Sequence, residues 1–248
     1  LAAEGMKPYI AIYSTFMQRC IDMIQHDAAL QKLPVRFCMD RAGLSPDDGP
    51  THHGLFDIAM IRSIPNIVFM QPKDEAEFVH MLRTMNHYQN GPTVIRYPRG
   101  CGAGTPAPAK AEILPIGKAE VLQTGQDVTL VSLGTMIGIA RETASLLEAR
   151  GYTVTLINAR FIKPLDDECI RRHAARSRVV CTFEDHSISG GFNSAVLESL
   201  ETGDVKTPVE AIAWPDQFIE HGSESILRKK YGLTAEAALQ KIIPHLNS

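Results

Sequence analysis

Three observations predict an α/β fold of two three-layer parallel-sheet units. Short runs rich in Val, Ile, Phe and Tyr alternate with longer stretches whose apolar residues recur three and four apart, which is how parallel sheets covered by helices read in sequence. The alternation stops once, at GCGAGTPAPAKAEILP (residues 100–115), a Gly, Pro and Ala mixture without period, and then resumes. The chain has 248 residues, 44% hydrophobic and 21% charged, enough to bury the core of one or two domains.

Taken in order, YIAI, VRFCM, NIVFM and TVIRY read as strands of the first unit. TFMQRCIDMIQHDAAL and EAEFVHMLRTMNHY carry the helical period between them, the second capped by Asp74 with Glu77 three residues on. Ser14 or Thr15 is placed to cap the first. In the second unit DVTLVSL reads as a strand, ARETASLLEAR as a helix stopped by Gly151, TVTLINA as a strand and Asp167 to Ser177 as a helix. RVVCTFE and VEAIAW are further strands, with two short helices ending near Leu246. The units expected are 1–105 and 116–248, joined by a linker at 106–115. The opening LAAEG reads as the end of a helix with a Gly stop, so the first unit is expected to be truncated at its N-terminus.

A formal net charge of −3, from 25 basic and 28 acidic residues, offers no general attraction for nucleic acid or an anionic membrane. Neither a membrane-spanning run nor a signal peptide is visible, so a cytoplasmic setting is expected. Five scattered cysteines without a CxxC pair argue against zinc and against a disulfide framework. Cys38 and Cys181, in strand-like runs, read as small buried hydrophobes.

Chemistry concentrates in DRAGLSPDDGPTHHG (residues 40–54), a long irregular loop after a strand, where α/β proteins place their sites. It gathers Arg41, Asp47, Asp48, His52 and His53; a solvated loop of turn formers is the alternative. Adjacent His52 and His53 point apart and are two ligands where a structural zinc needs four, so no metal site is assigned. A histidine near Asp48 as proton carrier or hydrogen-bond donor is the stronger reading. The second cluster is RYPRG (residues 96–100): a guanidinium fork at a strand end matches phosphate oxygens, and Arg99 with Arg41, from another strand end, can converge on one phosphate. The third is Tyr13-Ser14-Thr15-Phe16, where Phe16 can stack on a flat heterocycle or simply fill core. Glu184-Asp185-His186, leading into SerIleSerGlyGly, looks like an anion-friendly strand-to-helix turn and is read as structural or as a contact with another domain.

PYIAIYSTFMQR, LPVRFCMDRAG, DGPTHHGLFDIAMIRSIPN and GPTVIRYPRG, in that order, resemble the C-terminal part of the 1-deoxy-D-xylulose-5-phosphate synthases, thiamine-diphosphate enzymes of the transketolase superfamily. The resemblance covers the whole chain, closely through Gly100 and more loosely afterwards. It implies a pyrimidine-binding domain followed by a transketolase C-terminal domain, and transferase chemistry: condensation of pyruvate with D-glyceraldehyde 3-phosphate, with loss of CO2, for isoprenoid, thiamine and pyridoxal precursor synthesis. By the same resemblance Phe16 stacks on the cofactor's aminopyrimidine. Arg41 and Arg99 bind the acceptor's phosphate, and Tyr13, Asp48 and His52 line the acceptor pocket, the last two as catalytic residues. His53 inherits no role.

The family's GDG motif, its metal-binding Asn and the glutamate that activates the aminopyrimidine are absent from this sequence, and Glu4 lies after the position of that glutamate. Thiamine diphosphate and Mg2+ are therefore expected to need the N-terminal diphosphate-binding domain or a second chain, the isolated chain is expected to be inactive, and a homodimer is implied. Two other readings stay open: the β chain of a 2-oxoacid dehydrogenase or a split transketolase half, and a non-catalytic interaction module.

Overall fold

A computed structural model describes residues 1–247; Ser248, the end of the expected second unit, lies outside them. The first sheet contains β1 (Tyr9–Tyr13), β2 (Arg36–Asp40), β3 (Val68–Met70) and β4 (Thr93–Arg96), all parallel, in the order β1-β2-β4-β3. Strands β3 and β4 are buried throughout; β3 (Val68-Phe69-Met70) is accordingly a continuous apolar run, whereas β4 buries Thr93 and Arg96 at its ends beside Val94 and Ile95. Between β1 and β2 the expected single helix is a broken one: α1 (Ser14–Met17), a 3-10 turn, α2 (Ile21–Met23) and a π segment Ile24–Ala29. No side chain caps α1; the Ser14 hydroxyl donates instead to Asp57 (2.8 Å) and that of Thr15 to the Thr51 carbonyl (2.9 Å), so both expected caps are spent on tertiary contacts. α3 (Asp57–Arg62) and α4 (Glu75–His87) follow, and α4 is capped as expected by Asp74, which accepts from the Glu77 amide at 2.8 Å.

Residues 97–119 contain neither helix nor strand. Beyond them lie β5 (Glu120–Gln123), β6 (Val128–Ser132), α5 (Ile137–Glu148), β7 (Val154–Asn158), β8 (Phe161–Lys163), α6 (Asp167–Ala174) and β9 (Val179–Ser187). α7 (Phe192–Thr202), β10 (Val209–Trp214), α8 (Glu224–Tyr231) and α9 (Ala235–Leu246) complete the chain. The second sheet has the order β10-β9-β6-β7-β5, parallel except for β5. Two strands went unforeseen, β5 and β8, each of four residues or fewer and too short to show a period.

β8 ties the two halves of the chain together. It leaves the second half of the chain and adds an antiparallel edge to the first sheet, beside β3. One apolar core then runs through both halves, joining Met39, Ile58 and Phe69 to Val131, Ile157 and Phe192. The second sheet's own chain reversal, at the carboxyl ends of β6 and β9, is where an α/β sheet usually holds a ligand. Here the first half fills it: Gln71 packs against Gly134, and Arg96 donates to the Asp185 carbonyl at 3.3 Å.

Candidate active site

Parallel pairing brings the carboxyl ends of β1, β2 and β4 side by side, with Tyr13 in register with Asp40 and Met39 with Arg96. The next residues of each strand end therefore share one face of the sheet, although they are far apart in sequence. All six candidate residues, Tyr13, Phe16, Arg41, Asp48, His52 and Arg99, meet there in a chain of contacts. Arg41 Nη1 and Arg99 Nη1 approach the same Asp48 Oδ2, at 2.9 and 2.7 Å. The Arg41 guanidinium lies over the Tyr13 ring, 4.0 Å from its centroid. Tyr13 stacks on Phe16 with centroids 5.6 Å apart and rings 17° from parallel, and the His52 ring meets Phe16 edge-on at 5.6 Å. The two arginines do converge on one anion, but it is the chain's own carboxylate.

Arg41 has φ +56, a left-handed conformation costly for a residue with a Cβ. Its amide donates to Asp40 Oδ1 (2.7 Å), and the reversal turns the side chain off the strand and over Tyr13. The loop beyond is closed by reciprocal bonds between Gly43 and Gly54, of 2.9 and 2.8 Å. Asp48, Thr51 and His52 project from it. His52 and Asp48 take different partners: Asp48 is held by the arginines, whereas His52 Nδ1 pairs with Thr51 Oγ1 at 2.9 Å. Arg19 was not anticipated; its guanidinium stands over the Phe16 ring at 5.8 Å, and the three-residue spacing on a helical stretch was the available signal.

His53 points the other way, as the neighbouring-residue argument required, and is 4% exposed. Its Nδ1 accepts from the Ser45 amide (3.0 Å), which puts the proton on Nε2, 3.4 Å from the Glu220 carbonyl. Burial lowers its pKa, only partly offset by the Glu220 carbonyl and Asp185.

Glu184-Asp185-His186 forms the buried end of β9 rather than a turn. Glu184 accepts from the Phe192 and Asn193 amides (2.6 and 2.8 Å), so the anion position at the start of α7 is filled from within, and burial pushes its pKa up to about 8. Asp185 accepts from Trp214 Nε1 (2.6 Å), Arg228 Nη2 (3.2 Å) and the Leu44 amide (3.4 Å). His186 donates from Nδ1 to the Ser187 carbonyl (2.6 Å) and accepts at Nε2 from the Ala59 amide (3.3 Å). Burial holds His186 down at about 4. The folded chain thus binds this proton less readily than the unfolded one, so the contribution of His186 lowers stability as pH drops through 6.5 towards 4, against the opposite contribution of Glu184, whose raised pKa adds stability as pH falls from 8 towards 4.5. The difference between wild type and His186→Gln isolates the histidine: in urea unfolding the variant should lose less stability than wild type between pH 6.5 and 4. An equal loss in the two proteins would refute it.

As to what the site can hold, the half-buried Phe16 and Tyr13 rings suit a flat heterocycle, and the paired guanidiniums suit a phosphate. Among the described residues no group of three or more His, Cys, Asp or Glu is disposed to hold a metal ion. No helix among them is long and apolar enough to cross a membrane.

Comparison with known proteins agrees with this architecture. Residues 1–103 match the model of the transketolase pyrimidine-binding domain and residues 117–237 that of the transketolase C-terminal domain. The 1-deoxy-D-xylulose-5-phosphate synthase of Methylacidiphilum infernorum is 52% identical over 251 residues, covering 100% of this chain and 40% of that protein. Those of Acidobacterium capsulatum (52%, 99% of this chain, 39% of that protein) and Synechococcus elongatus (48%, 100% and 39%) align similarly. The chain thus spans about two fifths of the length of these relatives. A solved structure described as a split gene transketolase, inactive beta4 tetramer, superposes with a TM-score of 0.88 at 29% identity, over 99% of this chain and 78% of that one. The chain belongs to the transketolase family, and over its whole length it is similar to the C-terminal part of the 1-deoxy-D-xylulose-5-phosphate synthases.

Proposed function

We propose that this chain is the pyrimidine-binding and C-terminal part, residues 1–105 and 116–248, of a cytoplasmic 1-deoxy-D-xylulose-5-phosphate synthase, which joins pyruvate to D-glyceraldehyde 3-phosphate with loss of CO2. The observation that carries the reading is the convergence of Arg41 and Arg99 on Asp48 Oδ2 beside the Tyr13–Phe16 stack. Phe16 holds the aminopyrimidine ring of thiamine diphosphate, which supplies, when bound, the carbon nucleophile. The diphosphate and its Mg2+ rest on a domain outside these residues, the protein's own N-terminal domain or a second chain, and turnover requires both parts, in a homodimer.

The acceptor's phosphate offers several anionic oxygens to the two guanidiniums, where Asp48 offers one carboxylate, and so competes for them. Asp48, released, faces the acceptor's hydroxyl groups. His52 donates to the acceptor oxygen on which negative charge develops, and Tyr13 closes the pocket under Arg41. In the complete protein, Arg99→Ala should lower kcat/KM for the phosphorylated aldehyde roughly 10- to 150-fold, the range of a charge-assisted contact, and leave unphosphorylated glyceraldehyde unaffected. Equal losses on both aldehydes would make Arg99 structural. The 29% identity to a split-gene transketolase chain favours a second arrangement, in which a separate chain carries the diphosphate side. The mass of the purified protein beside its reading frame decides between the two.

A further inference from the structure

We infer that His53 and Asp185 are positioning residues: through them the second half of the chain sets where the loop of Asp48 and His52 stands. The inference rests on the function proposed above and concerns two side chains that lie outside the cluster of six. The loop from Gly43 to Gly54 touches the second half at its neck and at its inner wall. At the neck, Asp185 accepts from the Leu44 amide, and its carboxylate lies so close to Gly43 that a Cβ there would collide with it. Asp185 cannot drift, because Trp214 Nε1 and Arg228 Nη2 hold it and it is 4% exposed.

At the inner wall, His53 bridges the two halves. It accepts from the Ser45 amide and donates to the Glu220 carbonyl. Ser45 in turn takes the Asp48 and Gly49 amides on its own carbonyl, at 3.2 and 3.1 Å. A short run of bonds therefore joins Glu220, His53 and Ser45 to Asp48, the residue on which both arginines converge. Glu220 is itself braced, its carboxylate accepting from Lys230 and from the Tyr231 hydroxyl. Only a neutral imidazole with a free Nδ1 lone pair can take the Ser45 amide, and the groups facing it, Asp185 and His221 with the Glu220 and Ile219 carbonyls, leave burial as the larger influence.

Without this latch Asp48 and His52 would lose their register with Arg41 and Arg99, which come from β2 and β4 and do not depend on it. Displacements of about 1 Å at a reacting centre can cost on the order of a hundredfold in rate. The test compares His53→Met, which fills the ring's space without hydrogen bonds, with His53→Gln, whose amide both accepts and donates as the neutral imidazole does. In the complete protein, amide hydrogen exchange over residues 44–54 should quicken about tenfold or more in the Met variant, with β1, β2 and β4 still protected, and return to within about threefold of wild type in the Gln variant. With Met, kcat should fall and KM for D-glyceraldehyde 3-phosphate rise, each about tenfold or more, and both should recover with Gln, at a melting temperature close to wild type. Unchanged exchange in the Met variant, faster exchange without a change in KM, or a Gln variant that behaves like Met would each overturn the latch. A wild-type protein without condensation activity would instead sink the proposed function, and loop exchange would still decide whether His53 anchors the loop.

Discussion

His52→Ala in the complete enzyme is expected to lower kcat by about two to four orders of magnitude, the range for loss of a general acid or base, with the melting temperature unchanged. The ring is half-buried, it rests edge-on against Phe16, and its hydrogen bond is to the neighbouring Thr51 hydroxyl. Nothing in the core depends on it. Imidazole can both give and take a proton near neutral pH, which neither alanine nor the arginines of the site can do. Turnover and thermal unfolding measured on the same preparation separate the alternatives. Near-normal turnover would remove His52 from the chemistry, and a collapsed melting temperature would make it structural.

Asp57→Ala should have the largest effect on stability. The carboxylate is 1% exposed and the Arg96 side chain 0%. Arg96 donates to it from Nε (3.0 Å) and Nη2 (3.1 Å), and Ser14 and the Ile58 amide add two further bonds of 2.8 Å. Removing the carboxylate leaves a guanidinium in the interior without its counter-charge, a change that typically costs about 3–5 kcal/mol. The same arginine also holds the Gln71 side chain and the Gly54 and Asp185 carbonyls, so the damage should spread to the loop neck and to the junction with β9. Urea denaturation is the measure. The double variant Asp57→Ala/Arg96→Met should lose less than the sum of the two single changes, by about 1–3 kcal/mol, because it removes the orphaned charge. A loss below about 1 kcal/mol for Asp57→Ala alone would mean that water reaches Arg96 and that the network is not the clamp described.

The sequence by itself determined the α/β class, most of the strands and the Asp74 cap, and it singled out six residues that the fold brings together. Those features are written locally: apolar runs of strand length, a helical period, an Asp three residues before a Glu, and charged residues just past strand ends. Arg41 and Arg99 stood out because parallel strands deliver their carboxyl ends to one end of the sheet, so that being near a strand end already says much about place, whereas Tyr13 and Phe16 owed their assignment to the family resemblance. What those residues touch was not legible. His52 and Asp48 are four residues apart in one loop yet take different partners, because a closed loop, not a helix or strand, sets their directions.

Only the tertiary structure decided how the two halves join. β8 pairs with β3, a strand about ninety residues earlier, and so short a segment carries no period to announce it. Ser14 and Thr15 have the chemistry of helix caps, but Asp57 and Thr51 compete for their hydroxyls and win. Glu184-Asp185-His186 resembled a turn ready for an anion because a sequence cannot show that the anion position at α7 is filled by Glu184 itself, nor that Asp185 reaches 141 residues back to Leu44. Buried polar side chains must find partners wherever the fold brings donors and acceptors together, and for these residues the partners lie on elements remote in the chain.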